Sequence, residues 1–219
     1  MTTATPRLQI ALDTFTLDDA YRALQPAAAS VDIIEVGTIL CLSEGMRAVR
    51  EIHALFPEKD LLADVRIAEA GSIISRLAFD SGANLVSVVA GASLTTVGQV
   101  CKVAEEYGAE VQIELDEANR TDAAVHWRAA GVKHVIVHRS RDAEAAGSLR
   151  WKRSDIDSIR LLDQLGFTVT ITGGITASEL PQLSTEPVGI VIAGRSIVQA
   201  ADPAKAAADF RTALGAVWP

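Results

Sequence analysis

Asp64, Arg66 and Glu69 put three charges into the seven residues from Ala63 to Glu69, directly after the apolar pair Leu61-Leu62. Asp64 and Arg66 are two apart, so they share one face of an extended strand end. Glu69 falls beyond that strand, where the chain turns towards a helix that opens near Gly71. A carboxylate and a cation side by side can hold and stabilise an anion where a reaction needs it, with or without a metal. The same residues also suit an ion pair in a surface loop, and the stretch by itself does not choose between the two.

Other polar residues recur at the ends of short apolar runs. They are Asp13, Glu35, Glu114, His138 with Arg141, Thr172 with Gly173 and Gly174, and Gly194 with Arg195. Only the fourth run ends blandly, in Ala90-Gly91-Ala92. Glu35 and Glu114 sit among Ile, Val and Leu, where an unpaired carboxylate costs several kcal/mol. A cation must answer them: a metal, a side chain or the substrate. Glu35 and Asp64 together suit Mg2+, which binds through one or two carboxylates plus substrate oxygens and water. The competing reading pairs one of them with Arg66 and needs no metal. The glycine-bearing turns at Gly173-Gly174 and Gly194-Arg195 suit a phosphate, with bare backbone N–H groups and a guanidinium to pair with it. His138 is the natural proton carrier near neutral pH. His53, His126 and His134 read as structural, and Cys41 and Cys101 as packing residues.

The elements that must position these groups alternate with regularity. The apolar runs are 8–12, 31–36, 61–63, 85–89, 111–115, 134–137, 168–171 and 189–193. They are rich in Val and Ile, too short for helices, and continuous in the manner of parallel strands covered on both sides. Between them the pattern predicts helices from Leu17 to Ala29, Ser43 to Leu55 with Ser43 as N-cap, Ile73 to Ser81, Leu94 to Tyr107, Thr121 to Ala130, Ser154 to Leu165, Ser178 to Leu183 and Pro203 to Leu214. Four of them run directly into glycine, at Gly82, Gly108, Gly131 and Gly166, a C-cap signal. Strand then helix, eight times, is the pattern of an α/β protein of the (β/α)8 TIM barrel type, whose active site lies at the carboxyl ends of the strands. No linker divides the chain, so residues 1–219 read as one domain. The longest gap, from Arg139 to Arg153, suits a lid or an added turn.

Composition narrows the function. The chain has 219 residues, 49% hydrophobic and 22% charged, with a formal net charge of -8. That acidity and the lack of a basic stripe argue against a nucleic-acid partner. No stretch approaches the ~20 apolar residues of a membrane span. The start of the chain has no apolar signal segment, and two cysteines make no disulfide framework, so a cytoplasmic setting is expected.

Six segments carry a resemblance to a known family: Ala11-Leu12-Asp13, Val31 to Leu40, Val111 to Leu115, His138-Arg139-Ser140-Arg141-Asp142, Val169 to Gly174 and Ile192 to Ile197. Through them the chain resembles, nearly end to end, the 3-keto-L-gulonate 6-phosphate decarboxylase and hexulose-6-phosphate synthase family of the orotidine monophosphate decarboxylase superfamily. The His-Arg-Ser-Arg-Asp run is similar to the decarboxylase rather than to the synthase, an aldolase. The resemblance implies a Mg2+-dependent carboxy-lyase of L-ascorbate catabolism that converts 3-keto-L-gulonate 6-phosphate to L-xylulose 5-phosphate and CO2 through a metal-stabilised enediolate. It implies Glu35 and Asp64 as metal ligands. Asp13, Glu114 and Thr172 would contact the sugar, and Gly173, Gly174, Gly194 and Arg195 the phosphate. His138 and Arg141 would deliver the proton. It also implies a homodimer in which Glu69 reaches the partner's site. The superfamily motif is Asp-x-Lys-x-x-Asp, whereas this chain has Asp64-Val65-Arg66-Ile67-Ala68-Glu69. Arg is planar, effectively always charged and a poor proton donor. A forked Arg66–Glu69 pair across the dimer is one way to rebuild the lost geometry. The departure leaves an aldolase, a related sugar-phosphate lyase and a silent sugar-phosphate binder as alternatives.

Overall fold

Eight strands pair in parallel, each with the next in the chain: β1 (Arg7–Leu12), β2 (Ile33–Val36), β3 (Asp60–Ile67), β4 (Leu85–Val89), β5 (Glu110–Glu114), β6 (His134–His138), β7 (Thr168–Thr172) and β8 (Ile190–Ala193). β8 pairs with β1, through Arg7 with Ile190 and Ile10 with Ala193, and closes the barrel. This computed structural model describes residues 4–116, 121–139 and 151–219. Arg141, and most of the long gap after β6, lie outside the described residues.

Around the barrel run α1 (Leu17–Ala27), α2 (Thr38–Glu44), α3 (Met46–Leu55), α4 (Gly71–Asp80), α5 (Leu94–Tyr107), α6 (Ala124–Ala130), α7 (Arg153–Gln164), the short α8 (Arg195–Val198) and α9 (Pro203–Val217). A 3-10 turn, Ala177–Leu183, takes the place of a helix after β7. Gly82, Gly108, Gly131 and Gly166 all follow their helices with positive φ. The predicted Ser43 to Leu55 helix is in fact two, broken at Gly45. Ser43 is no N-cap: its hydroxyl donates back to the Ile39 carbonyl inside α2. Periodicity could not separate two apolar turns that share a face. Among the described residues no helix is long and apolar enough to cross a membrane.

The main core fills the space between barrel and helices. Inside the barrel the side chains stack in layers, as this closure requires. Ile33, Leu62, Leu85 and Ile190 form one buried apolar cluster. Gln9, Ser87, Gln112 and Thr170 are essentially buried polar residues of the strands, and Gln112 Nε2 donates to Thr170 Oγ1 at 2.8 Å. Ala11, Ile136 and Ile192 form a second small cluster that faces the mouth.

Candidate active site

A cavity of about 900 Å³ opens at the carboxyl ends of the strands. Asp13, Glu35, Asp64, Arg66, Glu114, His138, Thr172, Gly173, Gly174, Gly194 and Arg195 all line it. Residues from both ends of the chain therefore meet in one place, because β1 and β8 are neighbours in the ring. Glu69 is exposed in the turn between β3 and α4 and is not part of its own chain's lining.

Glu35 and Asp64 come from adjacent strands. Glu35 is buried, and its Oε2 accepts from Gln9 Nε2 at 2.6 Å. Burial first, and then the negative charge of Asp64, push its carboxyl well above the usual range. Asp64 is buried as well. Its Oδ2 accepts from the backbone N–H and the hydroxyl of Thr38, and its Oδ1 accepts from Ser87 Oγ at 2.6 Å. Thr38 opens α2 directly after Gly37. A Cβ at Gly37 would overlap the Asp13 carboxylate, so only glycine lets β1 and α2 approach this closely.

Arg66 does not pair with this carboxylate couple. Its guanidinium meets Glu114 at the end of β5. Among the described residues of the chain, Arg66 forms no ion pair with Glu35 or Asp64. The backbone explains the reach. β3 continues past Asp64 to Ile67, four residues beyond the apolar run, with a register shift between Ala63 and Ile67. Within the shift Arg66 adopts φ +46°, a left-handed conformation that non-glycine residues seldom take. Ser87 Oγ accepts the Arg66 N–H at 2.8 Å while donating to Asp64. One hydroxyl on β4 thus holds both charged residues of the bulge.

Among the described residues no Lys, Arg or His forms an ion pair with Glu35 or Asp64, and no cluster of three or more His, Cys, Asp or Glu is grouped as for a metal. Two carboxylates suffice for Mg2+, which keeps waters and takes the remaining oxygens from its substrate. Among the described residues Glu35 Oε1 accepts no hydrogen bond, and Asp64 Oδ1 accepts one. A buried acid pushed up by a second carboxylate is a site that a dication would relieve, so the donor set fits such an ion.

Across the cavity, β6 and β7 are in register from His134 with Thr168 to His138 with Thr172. His138 Nδ1 lies 2.6 Å from the Arg139 carbonyl, which can only accept, so Nδ1 carries the proton there. Gly173 has φ +112° and packs against the Arg139 backbone. Gly194 leads into α8, and Arg195 is exposed at its start. The other histidines stay away from the chemistry. His134, at the opposite end of β6, bonds Glu110, and His53 packs against Gly82. Cys41 is buried, and burial pushes its thiol up to about 12.

Four residues that hold this site had no signal in the strand-end pattern: Gln9, Thr38, Ser87 and Arg139. Ser87 and Gln9 lie inside strands that read as apolar. Arg139 sits in a charged turn motif yet is almost wholly buried.

Comparisons with known proteins agree with this geometry. The sequence model described as the orotidine 5'-phosphate decarboxylase / HUMPS family matches residues 6–210. A 3-keto-L-gulonate-6-phosphate decarboxylase of Escherichia coli is 46% identical over 213 residues, 97% of this chain and 98% of that protein. The crystal structure of a 3-keto-L-gulonate-6-phosphate decarboxylase from Vibrio cholerae superposes with a TM-score of 0.91 at 38% identity, covering 99% of this chain and 100% of that one. A KGPDC from Streptococcus mutans gives a TM-score of 0.94 at 33% identity, over 98% and 100% of the two chains.

Proposed function

The chain belongs to the orotidine 5'-phosphate decarboxylase / HUMPS family, and on that footing we propose that it is a Mg2+-dependent decarboxylase of 3-keto-L-gulonate 6-phosphate, releasing CO2 and L-xylulose 5-phosphate. The observation that carries this reading is a carboxylate couple that no cation among the described residues pairs with, facing glycine-bearing turns and a histidine across one cavity. A β-keto acid loses CO2 when the carbon–carbon bond to its carboxylate breaks and the electron pair passes into the neighbouring keto group. The resulting enediolate then takes a proton on carbon.

Glu35 and Asp64 would hold the ion, which supplies positive charge to the two oxygens where negative charge develops. Arg66, braced by Glu114, adds a second positive charge at the same mouth and cannot itself give up a proton. Asp13, Glu114 and Thr172 orient the sugar hydroxyls. The turn amides around Gly173, Gly174 and Gly194, with the Arg195 guanidinium, bind the phosphate and anchor the far end of the substrate. His138, its Nδ1 proton held by the Arg139 carbonyl, is the proton carrier, and Arg141 is assigned to the same proton delivery by the family resemblance alone. A homodimer is supported by large apolar side chains left exposed: Phe15 after β1, Leu42 on α2, and Ile73 and Leu77 on α4. Glu69, exposed between β3 and α4, would then serve the partner's cavity. Two free thiols support a cytoplasmic setting.

CO2 release from 3-keto-L-gulonate 6-phosphate, with and without EDTA, tests the reading. Turnover that survives the chelator refutes the metal. Condensation of formaldehyde with ribulose 5-phosphate, in the absence of decarboxylation, refutes the carboxy-lyase in favour of the aldolase. Binding without turnover on either substrate leaves the silent binder.

A further inference from the structure

We propose that Arg139 is a positioning residue that builds the phosphate-binding turn from behind and ties it to the proton carrier. Arg139 does not line the cavity and is only 1% exposed. Its Nε donates to the Gly173 carbonyl at 2.8 Å and its Nη2 to the Gly174 carbonyl at 2.9 Å. Nη1 meets Glu179 Oε1 at 2.7 Å, and the guanidinium stacks on Trp151 at 5.7 Å. The second oxygen of Glu179 accepts from the N–H and the hydroxyl of Thr176, which ends the turn. A buried charge is thereby fully matched, as it must be to persist.

The arrangement has a directional consequence. In a trans peptide the C=O and the following N–H point opposite ways. With the carbonyls of Gly173 and Gly174 drawn towards Arg139, the N–H groups of Gly174 and Ile175 point away from it. Neither N–H has an acceptor among the described residues. Two adjacent amides without such an acceptor, the first on a residue that lines the cavity, are what an anionic oxygen would fill. The Arg139 backbone completes the link. Its N–H donates to the Thr172 carbonyl, and its carbonyl fixes His138 Nδ1. A Cβ on Gly173 would come within 2.6 Å of that same carbonyl, so turn and imidazole cannot shift independently.

This inference rests on the reading that the Gly173-Gly174 turn takes the phosphate, so the test carries a control for that reading. Arg139→Met, Arg139→Lys and Arg195→Ala are compared with the wild type for KM, kcat, inhibition by inorganic phosphate and thermal midpoint. Arg139→Met is expected to raise KM and weaken phosphate inhibition by tenfold or more. Arg139→Lys, able to reach one carbonyl but not both, should recover part of that loss. Arg195→Ala should weaken phosphate inhibition as well. A folded Arg139→Met with KM and phosphate inhibition within twofold of wild type, while Arg195→Ala loses both, overturns the positioning role and leaves the phosphate site standing. No change in phosphate inhibition in either variant overturns the phosphate site, and the inference with it. If Arg139→Met does not fold, Glu179→Gln carries the same comparison: a weakened phosphate inhibition supports the role and an unchanged one refutes it.

Discussion

Replacing Ser87 by alanine removes a single hydroxyl and should disable the bulge that carries Asp64 and Arg66. Ser87 is 1% exposed, so water cannot take over its two hydrogen bonds. The bond to the Asp64 carboxylate, at 2.6 Å, is charge-assisted and contributes about 1.5–3 kcal/mol. The bond from the Arg66 N–H, at 2.8 Å, contributes about 1 kcal/mol. Against this stands the left-handed backbone of Arg66, which costs roughly 1–2 kcal/mol and is relieved if the bulge relaxes. The net loss of stability should be about 2 kcal/mol, read as a lower urea midpoint with unchanged slope. Relaxation also moves the guanidinium and the Asp64 carboxylate, so kcat at saturating substrate and Mg2+ should fall about 10–100-fold, each tenfold step being about 1.4 kcal/mol. Ser87→Thr keeps the hydroxyl and should recover most of the activity. An alanine variant within about 0.5 kcal/mol of wild type and within twofold in kcat would refute the reasoning.

Removing divalent cations with EDTA should abolish turnover, and Mg2+ should restore it and raise the thermal midpoint; Glu35→Gln should lose both responses. Arg66→Lys should alter stability by less than about 1 kcal/mol, because the Arg66 end of its pair is substantially exposed, yet reduce kcat. Combined with Glu69→Asp its effect should add to within about 0.5 kcal/mol, since Arg66 is engaged by Glu114; strong coupling would point to a contact across a dimer. Burial pushes the Glu179 carboxyl up, but the bonds from Arg139 and Thr176 outweigh burial and hold it below the usual range. A depressed folded value adds stability above the ordinary carboxylate pKa and loses it as pH falls through the lower one. Acid unfolding monitored by circular dichroism should therefore be less pH-dependent in Glu179→Gln than in wild type below about pH 5.

The barrel was legible because the strands are short apolar runs, most of them rich in Val and Ile, and four of the helices end at a glycine, so the eight units could be counted without knowing a contact. The strand-end residues were legible for a related reason: in this architecture the last residue of each strand faces one mouth, and polar groups there have few structural uses. The supporting residues were not. Ser87 lies in Leu-Val-Ser-Val-Val, where a small residue in a strand is unremarked, and its role exists only because register sets it beside Asp64. The left-handed turn at Arg66 uses neither glycine nor asparagine, the residues that advertise such a conformation. Arg139 stood in a run of charges that reads as a solvated turn; that it folds inward depends on the β6–β7 alignment and on carbonyls supplied by residues 34 and 35 positions later.

The seam between β8 and β1 sets the carboxylates of the first strands next to the glycine turns of the last. A sugar acid phosphate bridging them acts as a clasp over the point where the ring shuts. Its grip is available only after the final strand has docked, so fragments lacking β8 should not be rescued by ligand. In the complete chain, the same clasp should protect the seam most strongly against opening, visible as slowed amide exchange in β1 and β8 when a sugar phosphate is present.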